Sequence, residues 1–346
     1  MAVRADKGAS MSSQQTFLGS RRGLLAGRRG RRLKENLLGY TYILPATIIL
    51  AAFHFLPVGY AFYISLHKWK VKKVAFLGLD NYARALSDPK FWKSLVVTVY
   101  YVIGTVPLTI TLSLIIAYFL FQRIKGLSIY RTIYFLPYIT STVASAAVWL
   151  WIFNPRHGPL NQLLELVGLS PQRWLNEPRG IIKLVGGALG YTVPQWAEGP
   201  SLALVSIIIF AIWRYVGYDI VIFLAGLGNI PYELYEAAKI DGAGRWQLFR
   251  RITLPLLSPT IFFLVLMSVI WSFRAFADIY IMTAASGQQL GGPLYTTTTA
   301  TIYIFDQFYS RFNIGYASSM AFILFWITLI LTVIQNRFGE KFVFYS

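Results

Sequence analysis

The segment YEAAKIDGAGRWQLFRRITLPLLSP, Tyr235–Pro259, reads as a piece of water-soluble protein set between two long apolar stretches. Just before it, Pro231 suits the first turn of a helix, where its missing N–H has no partner to lose. Glu233 and Glu236 stand near the positive end of that helix's dipole. Leu234, Ala237, Ala238 and Asp241 recur at i, i+3, i+4 and i+7 and make a narrow face of small side chains, and Glu236 and Lys239 are spaced to pair. Gly242 is placed to end the helix in a left-handed conformation. Trp246, Phe249 and Ile252 then form a second apolar stripe among Arg245, Arg250 and Arg251, and Pro255 opens the next apolar stretch. The expectation is helix, turn, helix and re-entry. From these residues alone, the elbow is either a lever rigidly joined to two membrane helices or an ordinary surface loop held by lipid headgroups.

Composition sets the environment. Hydrophobic residues make up 56% of 346 and charged residues only 13%, too few to cover the surface of a soluble domain. Six stretches are long enough to cross a hydrocarbon core of about 30 Å: 37–66, 94–121, 129–153, 200–227, 256–283 and 314–335. Pro45, Pro57, Pro107 and Pro137 fall inside the first three and predict kinks, because neighbouring helices can satisfy the backbone groups that a proline frees. IIKLVGGALGYTV, Ile181–Val193, carries a lysine and three glycines and suits an interfacial segment better than a seventh span.

The net charge of +18 is unevenly placed, with nine of 32 basic residues before Leu37. Without aromatics among those arginines to stack on bases, this tail is no nucleic-acid binder. It reads as a disordered cytoplasmic tail touching anionic lipid. SRRGLL, Ser20–Leu25, resembles a twin-arginine export signal, but the basic block Arg28–Lys34 interrupts it before any apolar core begins. The domain reading is a tail 1–36, a first span 37–66, an outer cap 67–93, a five-helix core 94–336 and a cytoplasmic tail 337–346. The core includes the outer segment 154–199 and the cytoplasmic loop 229–255. With both termini inside, eighteen Lys/Arg lie on the cytoplasmic side, twelve outside and two within spans, in agreement with the positive-inside rule. One segment dissents: HKWKVKKVAF and its continuation to Lys93 put seven basic residues outside.

The elbow resembles the EAA loop of permease subunits in ATP-binding-cassette importers: Glu-Ala-Ala, three residues, Gly, nine residues, Ile, one residue, Leu-Pro. Glu236, Ala237, Ala238, Gly242, Ile252, Leu254 and Pro255 stand at that spacing, and Asp241 with Ala243 matches the DGA of the sugar branch. GLDNYARALSDPKFW, RTIYFLPY, WLWIFNPRHGPLN, FLAGLGNIPYELYEAA and FADIYIMT look like the carbohydrate-importer permeases of the maltose and glycerol-3-phosphate uptake type, from about Tyr40 to Arg337. Two stretches depart from the pattern, a longer segment around Gly180–Pro200 and QQLGGP at Gln288–Pro293. The resemblance implies an all-α integral membrane protein with six transmembrane helices and the MetI-like type I importer core. In that family the elbow is the coupling helix, seated in a cleft of the ATPase, with Glu236 meeting a basic group there and Gly242 permitting the turn. The resemblance also implies a second homologous permease, two ATPase subunits that hold ATP and Mg, and an extracytoplasmic binding protein that delivers a sugar. It further implies a prokaryotic inner or plasma membrane as the location.

Other chemistry is not in evidence. There is no cysteine, no Walker loop, and His54, His67 and His157 are scattered, so catalysis, a cofactor or a metal on this chain is not expected. Ionisable groups inside spans are functional candidates. Arg214 and Asp219 lie in the fourth; Arg274 and Asp278, at i and i+4, lie in the fifth. Two readings stand: Arg274 and Asp278 pair within one helix while Arg214 pairs with a carboxylate to fix packing, or some of these line a polar path with Tyr215, Tyr218 and Thr283. Trp149, Trp213 and Trp271 could stack on sugar rings. A secondary transporter, which would need coupling-ion sites and matched halves, and a membrane scaffold or receptor that uses the elbow for signalling are the alternatives.

Overall fold

The computed structural model describes residue 32 and residues 35–122, 126–284 and 290–339. The expectations for most of the basic tail, the turn at 123–125, the first residues of QQLGGP and 340–346 lie outside these. The chain divides into two units, Met1–Tyr63 and Ile64–Ser346.

The first unit holds most of α1 (Glu35–Ser65), whose most apolar window has no buried residue. A π-turn at Ala51–Phe55 precedes Pro57. Its wider turn makes room for the proline ring, which in a regular helix clashes with the carbonyl four residues back.

The second unit begins with a two-stranded antiparallel hairpin, β1 (His67–Trp69) and β2 (Lys73–Phe76). It adds a small β element to an otherwise helical fold. Then come α2 (Asp80–Ser87), α3 (Pro89–Phe121), α4 (Leu127–Ile139), α5 (Thr142–Ile152), α6 (Pro159–Leu166), α7 (Ile181–Ala188), α8 (Leu202–Gly228) and α9 (Tyr232–Ile240). The last are α10 (Arg245–Phe273), α11 (Ala277–Ala284), α12 (Ala300–Phe305) and α13 (Ile314–Gly339). The expected interfacial segment at 181–193 is the short helix α7. Around it the segment between α5 and α8 closes on itself: Gly180 bridges Ser201, and Ala203 N–H donates to Glu177 O at 3.2 Å.

Among the described residues five helices are long and apolar enough to span a membrane, namely α1, α3, α8, α10 and α13. The third and fifth expected spans need correction. The third is a pair, α4 and α5, bent by 94°, and makes a sixth span only if the two are taken together. Pro137 does not kink it locally. The break falls at Thr140, whose Oγ1 donates to Pro137 O at 2.9 Å and lies 2.9 Å from Ser145 Oγ, so its hydroxyl serves a carbonyl on one side of the corner and meets a side chain on the other. The fifth span ends at Phe273 rather than Thr283, and α11 sets off separately. At that break Ala275 O accepts Thr301 Oγ1–H at 2.6 Å from α12. Pro107, by contrast, sits inside an unbroken α3.

α3 and α8 run side by side in the same direction. A Cβ on Gly104 would lie 2.7 Å from Ile208, and nine residues further along α3 Ser113 donates to Val216 O at 3.0 Å. Lipid tails are as apolar as a leucine core, so helices in a bilayer associate through close packing and interhelical hydrogen bonds rather than through escape from water. Gly217 shows the principle, since a Cβ there would lie 1.8 Å from Tyr134 O of α4. Tyr101, Phe210, Phe223, Leu257 and Leu264 fill the interior. Tyr118 stacks edge-on against Phe249 at 4.8 Å at one end of the bundle.

At the other end Asp88 gathers three elements. Its Oδ2 accepts the hydroxyls of Tyr303 at 2.7 Å and Tyr316 at 2.8 Å, and its Oδ1 accepts Lys90 N–H at 2.9 Å as the N-cap of α3. Partial burial alone would raise the Asp88 pKa, but the two phenol bonds and the backbone donors outweigh it and hold the carboxyl below its ordinary value.

Candidate functional site

The elbow is a folded unit. Pro231 stands at the N-cap of α9, one position earlier than the sequence suggested, and Glu233 lies in the first turn. Gly242 has φ +80°, and Gly242 N–H donates to Lys239 O at 3.0 Å while Ala243 N–H donates to Ala238 O at 2.9 Å. That pair of bonds is a complete Schellman closure, which needs a left-handed residue at this place. Gly244 N–H then donates to Gln247 Oε1 at 2.9 Å and starts α10. The ammonium of Lys239 lies 5.7 Å above the Tyr232 ring rather than pairing with Glu236.

One side of the elbow is docked. Ile230 and Leu248 are buried, Thr253 is fully buried, and Tyr235 Oη lies 3.0 Å from Thr253 Oγ1. Ile252 packs against the main core. The other side faces out: Glu236, Ala237, Asp241 and Gly242 are exposed, as are the large apolar side chains of Ile240 (86%) and Trp246 (68%). Leu234, Ala237, Ala238 and Asp241 therefore do not share one environment, because Ala238 turns inward. Pro255 does not open a new helix either. α10 runs unbroken from Arg245 to Phe273, with a π-turn at Phe249–Thr253 ahead of Leu254 and Pro255. The elbow thus leads into the bundle through one continuous helix.

At the far end of that helix the bundle opens into a cavity of about 490 Å³. It brings together Tyr215, Tyr218, Asp219, Arg274 and Asp278, with Trp271 on the same wall. Tyr218 and Trp271 meet edge-on at 5.6 Å. Asp278 accepts Tyr215 Oη–H at 2.8 Å and lies 3.9 Å from the Arg214 guanidinium. The Arg274–Asp278 helical pair is ruled out: α10 ends at Phe273, just before Arg274, α11 starts at Ala277, and Asp278 turns to α8 instead. Arg214 does pair with a carboxylate, while Arg274 stays exposed at the cavity wall. Buried Asp219 Oδ2 and Arg214 Nε have no hydrogen-bond partner among the described residues, so both retain capacity for a polar guest. Thr283 lies elsewhere, its hydroxyl donating to Ile279 O at 2.7 Å. Trp149 and Trp213 pack on each other at 5.5 Å, away from the cavity. Tyr101, Thr105 and Thr109 of α3 also line it. Sequence reasoning missed them, although their i, i+4, i+8 spacing places them on one helix face.

A family model described as "Binding-protein-dependent transport system inner membrane component" matches residues 82–343. A probable ABC transporter permease protein, YesP of Bacillus subtilis, is 36% identical over 316 residues, 90% of this chain and 94% of that one. The trehalose/maltose transport system permease protein MalF of Thermococcus litoralis is 33% identical over 89% of this chain and 96% of its own. The sn-glycerol-3-phosphate transport system permease protein UgpA of Brucella abortus is 32% identical over 90% and 98%. In fold, the chain is similar to a bacterial ABC transporter that imports the acidic polysaccharide alginate, with TM-score 0.73 and 21% identity over 91% of this chain and 99% of that chain. These relatives are transport subunits and not enzymes. The charged elbow, the broken spans and the 82–343 match converge on one assignment: the chain belongs to the inner-membrane components of binding-protein-dependent transport systems.

Proposed function

We propose that this chain is one permease half of an ATP-driven importer of a sugar or sugar-like solute. A second homologous permease completes the pathway. An extracytoplasmic binding protein delivers the solute, and two cytoplasmic ABC ATPases hold ATP and Mg and hydrolyse ATP. The chain carries no cofactor of its own and binds no nucleic acid. Membrane lipid surrounds it, and both termini face the cytoplasm.

The observation that carries this reading is the elbow's two-sidedness. The face with Glu236, Ala237, Asp241 and Gly242 is offered outward, while Tyr235 and Ile252 pack against the main core and Leu254 and Pro255 stand within the continuous α10. An ATPase that grips the exposed apolar side chains Ile240 and Trp246 pushes directly on α10. That helix ends at the cavity, where Tyr218 and Trp271 supply aromatic surface and Asp219 an acceptor for sugar hydroxyls. Relatives named for trehalose/maltose and glycerol-3-phosphate transport favour this solute class.

The test is purification of the tagged chain from its own cells in mild detergent, with mass spectrometry of what accompanies it. A Walker-type ATPase and a second permease are expected. Glu236→Lys should abolish uptake while the protein still reaches the membrane. A chain that stays alone in lipid nanodiscs with its candidate ATPases added, or a Glu236→Lys variant with normal uptake, overturns the proposal.

A further inference from the structure

The seven outer basic residues that oppose the positive-inside rule are not absorbed by transport through the cavity. Four of them, Lys68, Lys70, Lys72 and Lys73, stand in the β1–β2 hairpin. The hairpin follows the end of α1 at Ser65 by two residues. It is docked on the start of α13: a Cβ on Gly315 would lie 2.1 Å from His67 O. Asn81 Nδ2 of α2 donates to the carbonyls of Ser65 and His67 at 2.8 and 3.0 Å, which fixes its base. Between hairpin, α2 and α13 lies a cleft of about 260 Å³, lined by Lys68, Lys70, Arg84 and Asp80, with Asn313 and Tyr316 behind them. Arg84 is held in place by its stack over Tyr316, 4.3 Å from the ring centre. Among the described residues no salt bridge neutralises Lys68, Lys70, Lys72 or Arg84.

Position and polarity together identify the occupant. α1 ends, and α3 and α13 begin, around this cleft, so it lies at the depth where hydrocarbon gives way to headgroups. Beside it the hairpin leaves Val71 (74%), Val74 (59%) and Phe76 (69%) exposed. Apolar side chains next to Lys70 and Lys72 are unfavourable in bulk water and suited to the membrane interface, where each kind meets its own layer. A partner protein approaching from the aqueous side would not need that apolar strip at the headgroup level.

We propose that the hairpin and its cleft bind an anionic phospholipid of the leaflet on this side, with the headgroup phosphate between Lys68, Lys70 and Arg84 and the acyl chains against Val71, Val74 and Phe76. This site is separate from the transport cavity and explains why so much positive charge is kept at the outer end of the first span. Each basic residue near an anionic surface is worth roughly a fivefold preference over neutral lipid.

The chain has no cysteine, so a single Val74→Cys can carry a spin label in the full-length protein. In nanodiscs of phosphatidylcholine containing phosphatidylglycerol, the label should be shielded from a water-soluble nickel chelate and open to oxygen; with phosphatidylcholine alone the shielding should weaken. Native mass spectrometry should show phosphatidylglycerol retained over phosphatidylcholine, and Lys68→Gln/Lys70→Gln should reduce that preference by at least tenfold. Both lysines are exposed, so this pair leaves the fold intact, and adding Arg84→Gln should remove the remainder. An unchanged lipid preference in the double variant overturns the proposal. So does a label equally open to the chelate with and without phosphatidylglycerol, or one shielded only when the binding protein is added, which would make the hairpin a protein-docking surface.

Discussion

Gly242 offers the sharpest test of the elbow as a lever. Its φ of +80° lies in the left-handed region, and an added Cβ would meet nothing within 4 Å. Gly242→Ala therefore introduces backbone strain without a collision, and that strain is about 1–2 kcal/mol. The strain acts on the two closing bonds, Gly242 N–H to Lys239 O and Ala243 N–H to Ala238 O. At tenfold per 1.4 kcal/mol, the turn should open roughly 5 to 30 times more often. Gly242→Asn should fall between wild type and alanine, because asparagine tolerates this conformation better. Gly242→Pro should be worst, since the ring fixes φ near −65° and removes the donor. Gly228→Ala is the control, a glycine with equally open surroundings but no left-handed φ.

The assay pairs two readouts on the reconstituted transporter: amide hydrogen exchange of the peptide covering 232–245, and ATP-driven uptake. Protection of that peptide should fall in the order glycine, asparagine, alanine, proline, and coupled uptake should fall in the same order, while Gly228→Ala leaves both unchanged. If alanine leaves exchange unaltered, the turn does not depend on the left-handed residue. If exchange rises by the expected factor and uptake stays normal, the elbow's rigidity is not what carries force, and the coupling argument fails.

Three further outcomes follow from packing and charge. Gly217→Ala places a methyl 1.8 Å from Tyr134 O and 2.6 Å from its carbon; a backbone cannot yield there cheaply, so folded, monodisperse protein should be lost on size-exclusion chromatography. Asp278→Asn strips the largely enclosed Arg214 of its ion-pair partner among the described residues, 3.9 Å away, and should cost about 3 kcal/mol; Arg214→Met combined with Asp278→Asn should recover part of that loss in thermal denaturation. Asp88 has a folded pKa below its unfolded one, so its contribution is present above about pH 4 and disappears as pH falls through the lowered value. Asp88→Asn should weaken the protein at neutral pH and flatten the acid end of its stability profile.

How much of this was legible in the sequence depends on the range of the interaction. The elbow was readable because its shape is set by neighbours along the chain: a proline before the helix, a glycine after it, and backbone bonds spanning a handful of residues. The spans were readable for the same reason, since a run of apolar residues long enough to cross a bilayer is a local property. The 94° corner between α4 and α5 also left a local trace, the cluster Thr140-Ser141-Thr142 just past Pro137. Proline alone predicted a kink; the Thr140 hydroxyl beside it, which serves the Pro137 carbonyl and meets Ser145 across the corner, helps hold a break there.

The end of α10 left no such trace. Arg274 and Asp278 have the spacing of a helical ion pair, and nothing nearby in sequence argues against one. What defeats it comes from far along the chain: Tyr215 and Arg214 draw Asp278 toward α8, and Thr301, 26 residues beyond Ala275, satisfies the carbonyl that the break exposes. Tyr101, Thr105 and Thr109 were passed over for a related reason. Single hydroxyls in an apolar helix usually bond their own backbone, and only the arrival of α8 and α10 on that face turns three of them into a cavity wall. The same distant contacts that hid the break create the site. A helix left whole from Arg245 to Thr283 would bury the Arg274–Asp278 pair in itself. Broken at Phe273, it presents one charge to the cavity and ties the other to α8, on the same wall where the buried Asp219 Oδ2 has no hydrogen-bond partner among the described residues.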